Sequence, residues 1–155
     1  MNYIKMKMFN FFLLMTLLCI NYVETVNGSD ILGINKVVDT YCAAIHSQNE
    51  TDFKSIFNKT KKSTLISVAR IFEGIDSIYG DFVYGLNKSY ETITLIKDED
   101  LQINFVDDEH AIVIFKYHTE CILRRNGEPF GIKGVETQIM EKEDGNWKIV
   151  HVHYS

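Results

Sequence analysis

Residues 134–155 read GVETQIMEKEDGNWKIVHVHYS, and this stretch gives the clearest structural signal in the chain. Two runs of alternating apolar and polar residues flank the turn Glu143-Asp144-Gly145-Asn146. Asp-Gly between two alternating runs is a strong signal for a β-hairpin. The pattern therefore predicts two antiparallel strands, of which the second runs from Trp147 to Ser155 and is held inside a larger sheet.

Ahead of this hairpin, the spacing of apolar residues changes once along the chain, from three or four positions to two. In three runs, Ile34 to Ile45, Phe53 to Phe57 and Ile75 to Leu86, apolar residues recur at helical spacing, which predicts three amphipathic helices. Thr64 to Ile71 stays open between a short strand and a bend. From Tyr90 the period is two, and four strands are predicted before the last one: Tyr90 to Ile96, Leu101 to Val106, Ala111 to Leu123 and Phe130 to Lys142. Helices followed by a strand meander predict an α+β fold, with a curved antiparallel sheet and helices across one face.

Composition indicates a globular protein and argues against nucleic acid as a partner. The 155 residues are enough for one domain, 46% are apolar and 24% are charged. The formal net charge is -5, which repels a phosphate backbone.

Residues 1–28 have the features of a signal peptide. Lys5 and Lys7 precede an apolar run from Met8 to Ile20, and a polar stretch ends at Gly28, so cleavage is predicted before Ser29. The apolar run is too short to span a bilayer, which needs about 20 residues. We therefore expect an exported protein, periplasmic or secreted, with its domain at residues 29–155 and no stable membrane span after cleavage. An uncleaved anchor and a lipoprotein remain alternatives.

Export would place Cys42 and Cys121 where a disulfide can form. Both cysteines lie in runs that are predicted to be half-buried. Two buried free thiols are therefore the preferred interpretation, with one bridge as the alternative.

Several stretches of the second half carry a family resemblance. The chain resembles the SnoaL-like branch of the NTF2-like superfamily, and most closely the association (hub) domain of calcium/calmodulin-dependent protein kinase II. The residues that carry it are Asp108 to Phe115, the turn Asn126-Gly127-Glu128-Pro129, Glu136-Thr137 and Asp144 to Ser155, with a helix start at Glu73-Gly74-Ile75-Asp76. The resemblance implies a cone-shaped α+β fold in which helices cover the concave side of the sheet and leave a pocket. The convex side would serve self-association. The 155 residues contain no kinase domain, so phosphorylation is not implied.

The predicted pocket differs from the one that this resemblance implies. Kinase hub domains carry pocket arginines on three strands, and the matching positions here are Tyr117, Gln138 and Tyr154. Without guanidinium groups the pocket is not suited to gripping a carboxylate. Strand alternation adds Phe115 and Val152 to the same face, so we expect these five residues to bind a small apolar or aromatic ligand. A filled core with hydrogen-bonded tyrosine hydroxyls is the alternative.

Glu136 is the one carboxylate predicted inside the cone. Burial would raise its pKa and make it a candidate general base, with Tyr117 or Tyr154 donating to an oxyanion. Ketosteroid isomerases of the same superfamily use such a pair, so a cofactor-free isomerase or hydrolase is an alternative function. The plainer interpretation is a glutamate hydrogen-bonded to a tyrosine. Catalysis therefore stays open, and no cofactor is implied.

Strand alternation turns the other face of the sheet outward. Three histidines there could form a zinc site, but packing in an interface is the preferred interpretation, and no metal is expected. An apolar patch on that face predicts a homodimer or a larger ring. The residues predicted on it are Ile112, Ile114, Lys116, His118, Thr137, Ile139, Ile149, His151 and His153, with Trp147 packed against them. A purely structural oligomerisation module is therefore a third candidate function.

Overall fold

The computed structural model describes residues 28–68 and 70–155. The chain divides into two compact units, residues 1–33 and residues 34–155, and the second contains all the features discussed below. The predicted signal peptide falls almost entirely outside the described residues. Within them, no helix is both long enough and apolar enough to cross a membrane.

Two helices come first, and both bury an apolar stripe. Helix α1 continues through residue 47, and α2 spans Glu50–Ser55. Ile34, Val38 and Tyr41 of α1 are completely buried, as the three- and four-residue spacing predicted. Asn49 ends the connection between the helices and caps α2, because its side chain accepts a hydrogen bond from the backbone of Asp52.

The third helical run contains a widened segment. Helix α3 (Ile75–Ser77) leads into a π-helix (Ile78–Val83), which passes directly into α4 (Tyr84–Ser89). The sequence predicted one helix here, and the π segment was not foreseen. Such segments are rare and are frequent at functional sites. This one carries Phe82, whose ring lies 5.5 Å from that of Phe72 and 5.7 Å from that of Tyr154.

The described residues form one sheet of eight strands with the order β2-β1-β8-β7-β5-β3, and β4 and β6 also pair with β5. All pairs are antiparallel except β1 with β8. The α+β prediction is confirmed. The strands are β1 (Thr64–Ser67), β2 (Arg70–Glu73), β3 (Tyr90–Lys97), β4 (Gln102–Phe105), β5 (His110–Leu123), β6 (Pro129–Phe130), β7 (Lys133–Glu143) and β8 (Asn146–Tyr154).

Two strand predictions need correction. The open stretch from Thr64 to Ile71 is a hairpin of two four-residue strands, β1 and β2. The predicted strand from Phe130 to Lys142 is divided into β6 and β7. The division lies at Gly131, where a side chain would collide with the backbone carbonyl of Thr119. The register with β5 is the same on both sides of the division, and the backbone of Thr119 donates to the Ile132 carbonyl between them.

The last strand lies inside the sheet, between β1 and β7, and contains a β-bulge. Ile139 pairs with His151, and Met140 pairs with Ile149, so Val150 is the extra residue. A single extra residue reverses the alternation on one side of it. Ile149 is therefore completely buried, and the prediction that it faces outward is wrong. Strict alternation from Tyr154 would place Val150 inside, but it is only half-buried.

Trp147 follows the same reversal. Its side chain is 5% exposed and packs against Phe105, with ring centroids 5.9 Å apart, rather than lying on the outer face with the histidines.

Candidate functional site

A cavity of about 110 Å³ lies between the helices and the inner face of the sheet, and its lining is mostly apolar. Residues of α1, the π-helix, α4, the β1–β2 hairpin and strands β3, β5 and β8 contribute to it. The lining residues are Ile45, Ser67, Val68, Phe82, Leu86, Tyr90, Ile93, Leu95, Tyr117, Thr119, Cys121, Ile132 and Tyr154.

Aromatic rings form one wall of the cavity. The rings of Tyr117 and Tyr154 meet edge to face, with centroids 5.4 Å apart and an interplanar angle of 85°. Phe82 continues the wall, since its ring lies 5.7 Å from that of Tyr154. Gly134 makes room for this arrangement, because a Cβ atom there would lie 2.8 Å from the Tyr117 hydroxyl and 2.5 Å from the Ser155 carbonyl oxygen.

The five residues predicted to bind a ligand separate into two layers. Tyr117 and Tyr154 line the cavity. Phe115, Gln138 and Val152 are on the predicted inner face but are at most 1% exposed, and they are not among the lining residues. The structure thus places two of the predicted side chains against the cavity and the other three in the core.

Glu136 belongs to the buried layer and is completely inaccessible. Burial raises the pKa of its carboxyl from 4.5 to about 8, and interactions with Gln138 and Tyr154 act in the opposite direction. Gln138 Nε2 donates to Glu136 Oε1 across 2.6 Å. Glu136 Oε2 and Gln138 Oε1 are both buried and have no hydrogen-bond partner among the described residues. The Glu136 carboxyl and the Gln138 amide therefore each retain one acceptor oxygen that is not hydrogen-bonded within the described residues.

Tyr154 connects this pair to the helices. Its hydroxyl lies 2.6 Å from the hydroxyl of Tyr41, which comes from α1. Burial first, and then the charge of Glu136, raises the pKa of both phenols above the ordinary value. Both tyrosines are therefore neutral hydrogen-bonding groups. The buried set formed by Gln138, Glu136, Tyr154 and Tyr41 is called the inner polar cluster below.

Known proteins identify the family to which this arrangement belongs. Residues 31–155 match the sequence profile of the family described as calcium/calmodulin dependent protein kinase II association domain. The chain belongs to this association-domain family. No curated protein gives a significant sequence match to it.

Solved structures agree with this association-domain fold. An NTF2-like superfamily protein from Salmonella enterica is 28% identical, with a TM-score of 0.74, covering 86% of this chain and 92% of that one. A hexachlorocyclohexane dehydrochlorinase from Novosphingobium barchaimii has a TM-score of 0.74 at 14% identity, covering 85% and 89% of the two chains. A Xanthomonas campestris protein named after the kinase association domain has a TM-score of 0.65 at 19% identity, covering 79% and 84%. The NTF2-like resemblance that was drawn from the sequence is confirmed.

Several lining residues of this association domain were not among the predicted site residues. Phe82 and Leu86 lie in the helical stripe, and Tyr90 begins the first long strand. Tyr41 also went unnoticed as a polar residue, although a phenol within an apolar helical stripe needs a hydrogen-bond partner when buried. That requirement is the sequence signal that points to the inner polar cluster.

The two cysteines of the domain are free thiols. Burial is the main cause that raises the pKa of Cys42 to about 12, and it also raises the pKa of Cys121 above its ordinary value. Both thiols are therefore protonated near neutral pH.

The outer face of the sheet holds the histidines without bringing them together as metal ligands. His118 contacts Asp98, and His151 Nδ1 lies 2.6 Å from the Thr64 hydroxyl. His153 is exposed, with its ring centroid 6.3 Å from that of His151. No group of three or more metal-ligating side chains is assembled within residues 28–68 and 70–155.

Proposed function

We propose that this protein is an exported association-domain protein that self-associates and binds a small apolar or aromatic ligand in its cavity without catalysing a reaction. The cavity carries the proposal. Its wall is mostly apolar, it is flanked by aromatic rings, and few polar groups reach it, which is the usual form of a small-molecule site.

Binding rather than catalysis is favoured by the position of Glu136. A general base must come within hydrogen-bond reach of the substrate proton. The Glu136 carboxyl is completely buried and is not among the lining residues, whereas Tyr154 both interacts with it and lines the cavity. The carboxyl is thus one side chain removed from any ligand in the cavity.

Filling the cavity tests the binding proposal. Leu86 lines the cavity and Leu101 does not, although both pack against the core as partly buried side chains. A metabolite library is screened by thermal shift and NMR against wild-type protein, Leu86→Trp and the control Leu101→Trp. We expect at least one compound to stabilise wild type and Leu101→Trp but not Leu86→Trp. Hits that bind all three proteins equally would contradict the cavity as the site.

Self-association is supported by the family and by the outer face of the sheet. Ile139 is 38% exposed there, and Ile112 and Ile114 are half-buried beside it. Native mass spectrometry of the wild type is expected to show a dimer or a larger ring. Ile139→Lys is expected to shift the protein towards monomer. The control Val106→Lys is not; this side chain is 66% exposed and directly follows the last residue of β4. A monomeric wild type at micromolar concentration contradicts the proposal.

Export has its own test. Expression of the full chain with N-terminal sequencing of the product outside the cytoplasm is expected to yield a protein that begins at Ser29. Recovery of an uncleaved chain from the cytoplasm would contradict it.

A cofactor-free isomerase or hydrolase is the second candidate, and one observation favours it. The carboxyl of Glu136 has a pKa of about 8, which is close to the operating pH that suits a general base. If an activity is found, Glu136→Gln is expected to lower kcat by at least about a hundredfold. An activity that survives this substitution excludes Glu136 as the base. A protein that assembles but binds no compound would instead be a structural module.

A further inference from the structure

We infer that the ligand of the cavity carries a compact organic cation of the alkylammonium type. Its positive charge interacts with the aromatic wall and with the Glu136 carboxyl behind that wall. This inference rests on the proposed binding function and adds the chemical class of the ligand.

The aromatic wall is the first reason. Phe82, Tyr117 and Tyr154 line one cavity and contact one another, with centroid distances of 5.7 Å and 5.4 Å through Tyr154. Aromatic rings attract a cation within about 6 Å of the ring centroid, and the attraction is stronger when the pair is desolvated. Little hydration free energy is lost when an alkylated ammonium group packs against such a wall, and its alkyl groups contact the aliphatic lining residues.

The charges around the cavity are the second reason. None of the lining residues is charged, so within the described residues nothing on the wall neutralises a carboxylate or repels a cation. The chain as a whole is acidic, with a net charge of -5, which draws cations towards it. An anionic ligand would enter against both effects.

The inner polar cluster is the third reason. Glu136 is completely buried, and its Oε2 atom has no hydrogen-bond partner among the described residues. The titratable groups that face it are Tyr41 and Cys42 of α1, Tyr117 of β5 and Tyr154 of β8, and none of them is basic. Lys97 acts on Cys42, but its ammonium group is paired with Asp39 at 2.9 Å. The carboxyl thus lacks a cationic partner, and a positive charge in the cavity would attract it from one side chain away, without direct contact.

The volume of the cavity limits the size of the cation. A cavity of about 150 Å³ lined by apolar residues holds benzene. The cavity here has a volume of about 110 Å³, which suits a head of about five heavy atoms, such as a trimethylammonium group.

Three probes of one shape and different charge test the inference on wild-type protein. Choline carries a quaternary nitrogen, 3,3-dimethylbutan-1-ol carries a carbon in its place, and 3,3-dimethylbutanoate is an anion of similar shape. Titration calorimetry near pH 8 is expected to show choline binding about tenfold more tightly than the alcohol, and the anion binding most weakly.

The outcomes separate this inference from the proposed function. Equal or tighter binding of the alcohol overturns the cationic ligand and leaves a binding cavity in place. Failure of all three probes to bind at millimolar concentration also overturns the cationic ligand, whereas the proposed binding function fails only if the metabolite screen yields no ligand for the cavity.

The pH dependence supplies a second measurement that needs no variant. A bound cation stabilises the ionised form of Glu136, so the ratio of choline affinity to alcohol affinity is expected to rise severalfold from about pH 6 to about pH 9. A ratio that stays flat contradicts a role for the carboxyl. In Glu136→Gln the ratio is expected to lose this pH dependence, and the control Glu120→Gln, at an exposed carboxylate of β5, is expected to keep it.

Discussion

Asn58 and the pair Glu136–Gln138 are both buried polar sites, but their hydrogen bonds differ. The Asn58 side chain, in a residue 5% exposed, accepts three hydrogen bonds, from the Thr60 backbone, the Thr60 hydroxyl and the Lys61 backbone, each 2.9 Å long. Glu136 and Gln138 are completely buried, yet each retains an oxygen without a partner among the described residues.

The contrast separates a structural site from a candidate functional one. A satisfied buried side chain fixes the path of its loop and gains from every bond it makes. An unsatisfied one lowers the stability of the fold and needs another explanation, such as a ligand or a catalytic role. Tyr154 interacts with Glu136 and also lines the cavity. The second site is therefore connected to the cavity wall. Stability and ligand binding should therefore respond differently at the two sites.

The largest expected effect is on the pH dependence of folding, at Glu136. Its pKa is 4.5 in the unfolded chain and about 8 in the folded one, so the folded state favours the protonated acid. The stability that Glu136 contributes is therefore full below pH 4.5, falls as the unfolded chain ionises, and is lost above about pH 8. The loss across that window is roughly 5 kcal/mol. Urea unfolding of wild type and Glu136→Gln at several pH values measures it.

Glu136→Gln is expected to lack most of this decline and to be the more stable protein at the alkaline end. The exposed variant Glu120→Gln should follow the wild type. If wild type and Glu136→Gln share the same pH dependence, the buried carboxyl is not held in its acid form, and the contrast with Asn58 disappears.

A smaller effect, independent of pH, is expected at Asn58. Asn58→Ala leaves the Thr60 and Lys61 amides without their acceptor and should lower the free energy of unfolding by about 2 kcal/mol. Asn58→Asp keeps an acceptor oxygen and should lose less. Ligand affinity should not change in either variant, as calorimetry with a cavity ligand would show. Weaker binding in Asn58→Ala would mean that the loop is part of the site.

The smallest effect concerns the bond between Tyr41 and Tyr154. Tyr41→Phe and Tyr154→Phe each remove one hydroxyl of the 2.6 Å pair and should each cost about 1 kcal/mol of stability. Since both lose the same bond, the double variant should lose less than the sum, with a coupling energy of about 1 kcal/mol. Additive losses in denaturant unfolding would show that the two hydroxyls do not act together.

The alternation of strands β5, β7 and β8 made most of the inner face predictable from sequence. Phe115, Tyr117, Glu136 and Gln138 were all assigned to the side on which they are buried. The bulge at Val150 was not predictable, because Ile149 and Val150 are both apolar and either one could face inward. The phase of β8 therefore depends on pairing with β7, which no local pattern reveals.

The other features that could not be predicted from the sequence depend on contacts between segments that are distant along the chain. Tyr41 and Tyr154 meet only because α1 crosses the sheet, and each taken alone fits an apolar stripe. Strands β1 and β2 have four residues each, which is too short for a clear period of two. The cavity itself depends on how the π-helix, α4 and the sheet fit together, and the sequence indicated a pocket only through its family resemblance.

The most direct test is the ionisation of Glu136 itself. Carbon-13 NMR of protein labelled at glutamate carboxyl groups, with the Glu136 signal assigned by comparison with Glu136→Gln, follows that carboxyl through a pH titration. We expect its midpoint at about pH 8, with the acid form present at neutral pH. A midpoint near 4.5, the ordinary value for glutamate, would contradict a buried and unsatisfied carboxyl behind the cavity wall.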